Sequence, residues 1–127
     1  MYNKNEYPFQ EETFEIIGTC MEVHRILGRG LLEVVYKDAI EYELNLKGFK
    51  YAREKQYQIT YKEIILPHMF FADFVIEDKI ILEVKCKSGI VDEHCAQVLN
   101  YLAISKLRLG LVCNFHEKSL QYKRIIF

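Results

Sequence analysis

Apolar residues recur at helical spacing over the first third of the chain, alternate along its middle, and return to helical spacing before a last alternating stretch. From about Thr13 to Leu27, Ile16, Cys20, Val23 and Leu27 form one stripe, with Phe14, Ile17 and Met21 beside it, which predicts a helix. Gly28-Arg29-Gly30 breaks that pattern. A second helix is expected from about Leu31 to Lys47 on the stripe Leu32, Val35, Ala39, Tyr42 and Leu46, stopped by Gly48. Phe49 to Tyr61, Phe70 to Ile76 and Lys79 to Cys86 read as strands. A third helix is predicted from about Asp92, as its N-cap, to Ser105, with Cys95, Val98, Leu99 and Leu102 toward the core. Leu107 to Cys113 and Leu120 to Phe127 complete the set as strands. This order describes a mixed sheet flanked by helices, an α/β or α+β sandwich.

Three charges interrupt the most apolar of these strands. Phe70-Phe71-Ala72-Asp73-Phe74-Val75-Ile76 carries one acid, and Ile80-Ile81-Leu82-Glu83-Val84-Lys85-Cys86 carries a second with a lysine two residues on. With Glu77-Asp78-Lys79 as the loop of a hairpin, Asp73 falls directly across from Glu83, at a cross-strand Cβ separation of roughly 5 Å. Alternation places Phe70, Ala72, Phe74 and Ile76 on one face, and Phe71, Asp73 and Val75 on the other with Ile81, Glu83 and Lys85. A loop shorter by one residue would separate the two acids. Carboxylates held this close repel, and a cation between them relieves the repulsion. Hard oxygen donors suit Mg²⁺ or Mn²⁺, which complete their shells with water and phosphate. Lys85 on the same face could then orient water or neutralise charge developing on a phosphate. A solvent-facing sheet surface that merely carries charges is the plainer reading of the same residues.

Composition narrows the setting. The chain has 127 residues, half of them hydrophobic and 28% charged, which suits one domain with a core of its own. The start, through residue 12, is polar and is expected to be a loose segment, with the domain spanning 13–127. A net charge of −1 excludes a bulk polyanion binder, so nucleic-acid contact would have to come from local pairs such as Arg53/Lys55, Lys85/Lys87 or Lys106/Arg108. Cys20, Cys86, Cys95 and Cys113 lie far apart, without CxxC spacing, which predicts reduced thiols in a cytoplasmic protein. No apolar run approaches membrane-spanning length.

Other polar residues admit two readings. Glu33 opens the second helix, where the helix dipole alone would favour an acid. On the third helix His94, Gln97 and Tyr101 fall at i, i+3 and i+7, forming either a solvated face or the wall of a site. His24, beside the first helix's apolar stripe, reads as a packed, hydrogen-bonded histidine rather than a ligand.

At these residues the sequence resembles a known family. Gly30-Leu-Leu-Glu33-Val-Val-Tyr36, preceded by His24-Arg25-Ile-Leu-Gly28, is similar to the motif of the GxxExxY proteins, within the PD-(D/E)XK nuclease-like superfamily. Asp73, followed after nine residues by Glu83-Val84-Lys85, looks like that superfamily's acid and (D/E)xK signature, with Ala72 where the signature has proline. Gln97-Val-Leu-Asn-Tyr101 looks like its QxxxY motif. The resemblance implies a restriction-endonuclease-like core over about Phe14 to Phe127. It further implies Asp73 and Glu83 as metal ligands assisted by Glu33, Lys85 as the catalytic lysine, and Gln97, Tyr101 and His94 toward substrate. The implied activity is metal-dependent hydrolysis of phosphodiester bonds in nucleic acid, DNA above all, with Mg²⁺ or Mn²⁺ and with a homodimer as one possible assembly. The alternative is a catalytically silent nuclease-fold module that acts in nucleic-acid or protein binding. Hydrolysis of a small nucleotide-like substrate is a third possibility.

Overall fold

The computed structural model describes residues 8–127. Helices α1 (Gln10–Leu27) and α2 (Glu33–Leu46) lead into β1 (Tyr51–Tyr61), β2 (Ile64–Ile76) and β3 (Ile80–Lys85). Helix α3 (Asp92–Ser105) then precedes β4 (Leu109–Asn114) and β5 (Gln121–Ile126). All five strands lie in one sheet in chain order. β3 and β4 run parallel because α3 carries the chain back between them, and every other neighbouring pair is antiparallel. The result is the expected α+β sandwich, a mixed sheet flanked by helices.

Both faces of the sheet are covered, which explains why β3 and β4 are apolar without alternation. On one face α1 and α2 pack Ile16, Cys20, Tyr36, Ile40 and Leu44 against Phe74, Ile80, Leu82 and Val84. On the other, Val98 and Leu102 of α3 lie with Val75, Ile81, Val112 and Ile125. Gly110 lets α3 come this close: a Cβ there would sit 2.2 Å from Val98 Cγ1. Gly110→Ala should therefore force α3 outward and destabilise the protein by about 1–3 kcal/mol in urea unfolding, the usual effect of overpacking. An unchanged midpoint would show that Val98 yields freely.

The structure revises three details of the pattern. In α2 the buried stripe is Tyr36, Ile40 and Leu44, while Leu32, Tyr42 and Leu46 are exposed. Two apolar stripes coexist on that helix, and the one that begins with Tyr36 packs on α1 and the sheet. In β2, Phe70 and Ala72 join the α3 side whereas Phe74 and Ile76 join the α1/α2 side, so the four do not share a face. The β1–β2 pairing skips Glu54 and Asp73, and Glu54 has a left-handed φ of 53°. Alternation cannot carry through such an irregularity. Finally, α1 begins at Gln10, and Val91 rather than Asp92 is the N-cap of α3. Residues 1–7, most of the segment expected to be loose, lie outside the described residues.

Candidate active site at the strand fork

Register brings the two acids together as the hairpin arithmetic requires. Phe74 pairs with Leu82, Val75 with Ile81 and Ile76 with Ile80, around the loop 77–79. Beyond Phe74 the two strands part: β2 stays with β1, and β3 stays with β4. The next residues outward are Asp73 and Glu83, at the crotch of this fork. There the side chains replace the missing ladder. Glu83 Oε1 accepts from the Asp73 amide at 2.8 Å, and Asp73 Oδ2 accepts from the Val84 amide at 2.8 Å. Each acid thus satisfies a backbone donor that the parting of the strands would have orphaned.

Both carboxyls are buried, at 7% exposure for Asp73 and 2% for Glu83. This disposes of the solvated-face reading. Burial, with the neighbouring Asp73 charge, pushes the Glu83 carboxyl up to about 8, so at neutral pH it holds a proton much of the time. Lys85, at the end of β3, donates to Gln97 Oε1 at 2.9 Å, and Gln97 Nε2 donates to the Tyr101 hydroxyl at 3.1 Å. Two members of the polar stripe of α3, His94 and Tyr101, are buried, with Tyr101 edge-on to Phe70, while Gln97 is exposed at the rim. The Tyr101 hydroxyl is pushed up to about 12 by burial and then by the nearby Glu83 charge. His94 is turned to its own helix, its Nδ1 accepting from the Val91 amide at 3.3 Å.

Glu33 opens α2, half-buried, and its carboxyl is raised by burial first and by the charge of Asp73 second. It senses the pair without joining it. Among the described residues no three His, Cys, Asp or Glu side chains form a ready-made metal cluster. Tyr36 holds the turn before Glu33: its hydroxyl donates to Gly28 O at 2.7 Å and accepts from the Leu31 amide at 3.2 Å. His24 Nε2 lies 2.8 Å from Glu117 O, and its ring packs with Phe115, the structural role expected of it.

Residues that the pattern did not single out complete the surroundings. Lys37, one turn beyond Glu33, is buried and places its ammonium 2.9 Å from Asp73 Oδ1 and also against Glu54. Burial opposes its charge, but the hydrogen bonds to Glu54 and Asp73 outweigh that and hold its pKa above the ordinary lysine value. Arg53 is tied to Asp38 and Glu41 of α2, which removes it as a basic contact for nucleic acid. Asn114, fully buried beside Lys85 on β4, accepts from the Lys87 amide and donates to its carbonyl, fixing the chain just after the lysine. Lys37 did carry a signal, its i, i+4 spacing from Glu33, whereas Asn114 carried none.

A mixed sheet that forks over a buried acid pair, with a lysine two residues past the second acid, is the arrangement of a restriction-endonuclease-like core. The sequence agrees: the family model of the PD-(D/E)XK nuclease superfamily matches residues 10–125, and the chain belongs to that superfamily. The crystal structure of SSO0001 superposes with a TM-score of 0.60 at 16% identity, over 97% of this chain and 58% of that one. At such identity the likeness speaks for the fold. This chain thus spans little more than half the length of that relative. No match was found among curated proteins. No helix among the described residues is long and apolar enough to cross a membrane.

Proposed function

We propose that this protein is a metal-dependent nuclease that hydrolyses phosphodiester bonds in DNA, with Asp73 and Glu83 as the principal metal ligands. The observation that carries the reading is the buried acid pair hydrogen-bonded across the fork, with Lys85 beside it. Superfamily members generally use divalent metals, and the donor set here fits one: hard carboxylate oxygens, buried side by side. Glu33 would assist from α2. Bound there, Mg²⁺ or Mn²⁺ would supply Lewis-acid polarisation of the phosphate and acidify a water.

The chain's own residues account for the rest. Lys85, aimed by Gln97, presents fixed positive charge where a phosphate gains negative charge on reaction. Tyr101 holds Gln97 and remains protonated throughout the physiological range. His94 caps the helix that carries both. Gly30, Glu33 and Tyr36 support placement in the GxxExxY group, since Tyr36 secures the turn from which Glu33 is delivered. The thiols, all free, suit a reducing cytoplasm.

Incubation with single-stranded, duplex and branched DNA in Mg²⁺ or Mn²⁺ should give cleavage that chelator stops. Absence of cleavage on all three substrates with both metals would favour the silent module. That reading has one observation of its own, the ammonium already seated on Asp73.

A further inference from the structure

Asp73 uses one oxygen on the Val84 amide and the other on Lys37. The oxygen that would meet a metal ion thus already accepts from an ammonium. Lys37 is nine-tenths buried and has a second acid, Glu54, on its outer side, where Glu54 is about half exposed. A lysine stem has the rotatable bonds to move its ammonium from one carboxylate toward the other while staying paired.

We propose that Lys37 is a built-in counter-ion of Asp73: it neutralises and positions this carboxylate before metal arrives, and withdraws to Glu54 when a divalent cation takes the carboxylate. The inference rests on Asp73 being a metal ligand, as set out above. The physical reason is charge. A divalent ion and an ammonium held on one buried carboxylate oxygen would repel strongly where little water screens them. Without any cation, the carboxylate of Asp73 would be buried in the fold with no counter-charge. Lys37 resolves the second condition and thereby competes in the first. Glu54 sets the balance, because it offers the departing ammonium a partner. The strand register sets it opposite Asp73, between the pairs Arg53–Phe74 and Lys55–Ala72. Lys37 is therefore a positioning residue, acting on metal affinity through Asp73.

Mn²⁺ titration by calorimetry on the full chain tests this without recourse to cleavage. Lys37→Met should bind Mn²⁺ roughly tenfold more tightly than the unaltered protein, within the common range of coupling between sites. Lys37→Arg, which keeps the charge, should show no such gain. Glu54→Gln, at a half-exposed position, should weaken Mn²⁺ binding several-fold, since the ammonium is then left with Asp73 alone. Melting curves give a second readout: Mn²⁺ should raise the melting temperature of Lys37→Met more than that of the unaltered chain, because the ion replaces the missing ammonium. Equal or weaker Mn²⁺ binding in folded Lys37→Met overturns the proposal. Should that variant not fold, unchanged binding in Glu54→Gln overturns it equally. Asp73→Asn separates the two levels. If it binds Mn²⁺ as the unaltered chain does, the ligand assignment itself fails. If it loses binding while Lys37→Met and Glu54→Gln change nothing, only the counter-ion role fails.

Discussion

Asp73→Asn and Glu83→Gln are each expected to abolish Mn²⁺ binding and to lower metal-dependent cleavage by at least about a thousandfold, the scale of loss when a principal electrostatic element of a site is removed. The amide replacements are chosen because each can still accept the backbone hydrogen bond across the fork, from Val84 for residue 73 and from Asp73 for residue 83. An alanine would orphan a buried amide and confuse loss of function with loss of stability. Circular dichroism should therefore show an intact fold in both. Lys85→Met should separate charge from metal binding: cleavage falls by roughly a hundredfold or more while Mn²⁺ affinity stays. Retained Mn²⁺ binding in both acid variants, measured by calorimetry, would refute the ligand assignment, and full cleavage by Lys85→Met would refute the lysine's role.

The metal-free protein should lose stability as pH rises from about 5 to about 9, and Glu83 should be the main cause. Its folded carboxyl is raised from the ordinary 4.5 to about 8 by burial, with the charge of Asp73 adding to the effect. The sign follows from linkage. A raised folded pKa means that the folded state binds the proton more tightly, so the contribution is fully present below the ordinary value and is lost as pH passes through the folded one. Between those limits the loss is on the order of a few kcal/mol, or a fall in melting temperature of roughly 10–15 °C for a chain of this size. Glu83→Gln cannot titrate and should flatten most of this slope. Saturating Mn²⁺ should flatten it as well, since a bound cation favours the ionised carboxylate. A metal-free melting temperature that is level across the range, or a slope that survives in Glu83→Gln, would remove Glu83 from its place beside an ionised Asp73.

Much of the fold could be read from local pattern. The third helix ends where its apolar period ends, at Ser105, and Gly48 closes α2 in the left-handed conformation that glycine favours. The hairpin loop 77–79 was legible because charged residues interrupt two apolar runs, and from it the opposition of Asp73 and Glu83 followed by counting. The choice of stripe on α2 was not legible. Val35, Ala39 and Tyr42 compete there with Tyr36, Ile40 and Leu44, and hydrophobicity alone does not rank them. Nor did alternation disclose that β2 changes faces at Asp73, since that depends on the backbone of Glu54 in the neighbouring strand.

By itself the sequence determined which acids stand opposite one another, which lysine follows them and which helix bears the glutamine and tyrosine. These are consequences of spacing within a strand or a helix, where geometry repeats every two or 3.6 residues. Only the tertiary structure decided that the strands part at Asp73 and Glu83, that the acids are buried there, and that Lys37 reaches them from α2. Those facts depend on three elements meeting from both sides of a sheet, and a local period, even the i, i+4 spacing of Lys37 from Glu33, does not record which strand a helix will meet.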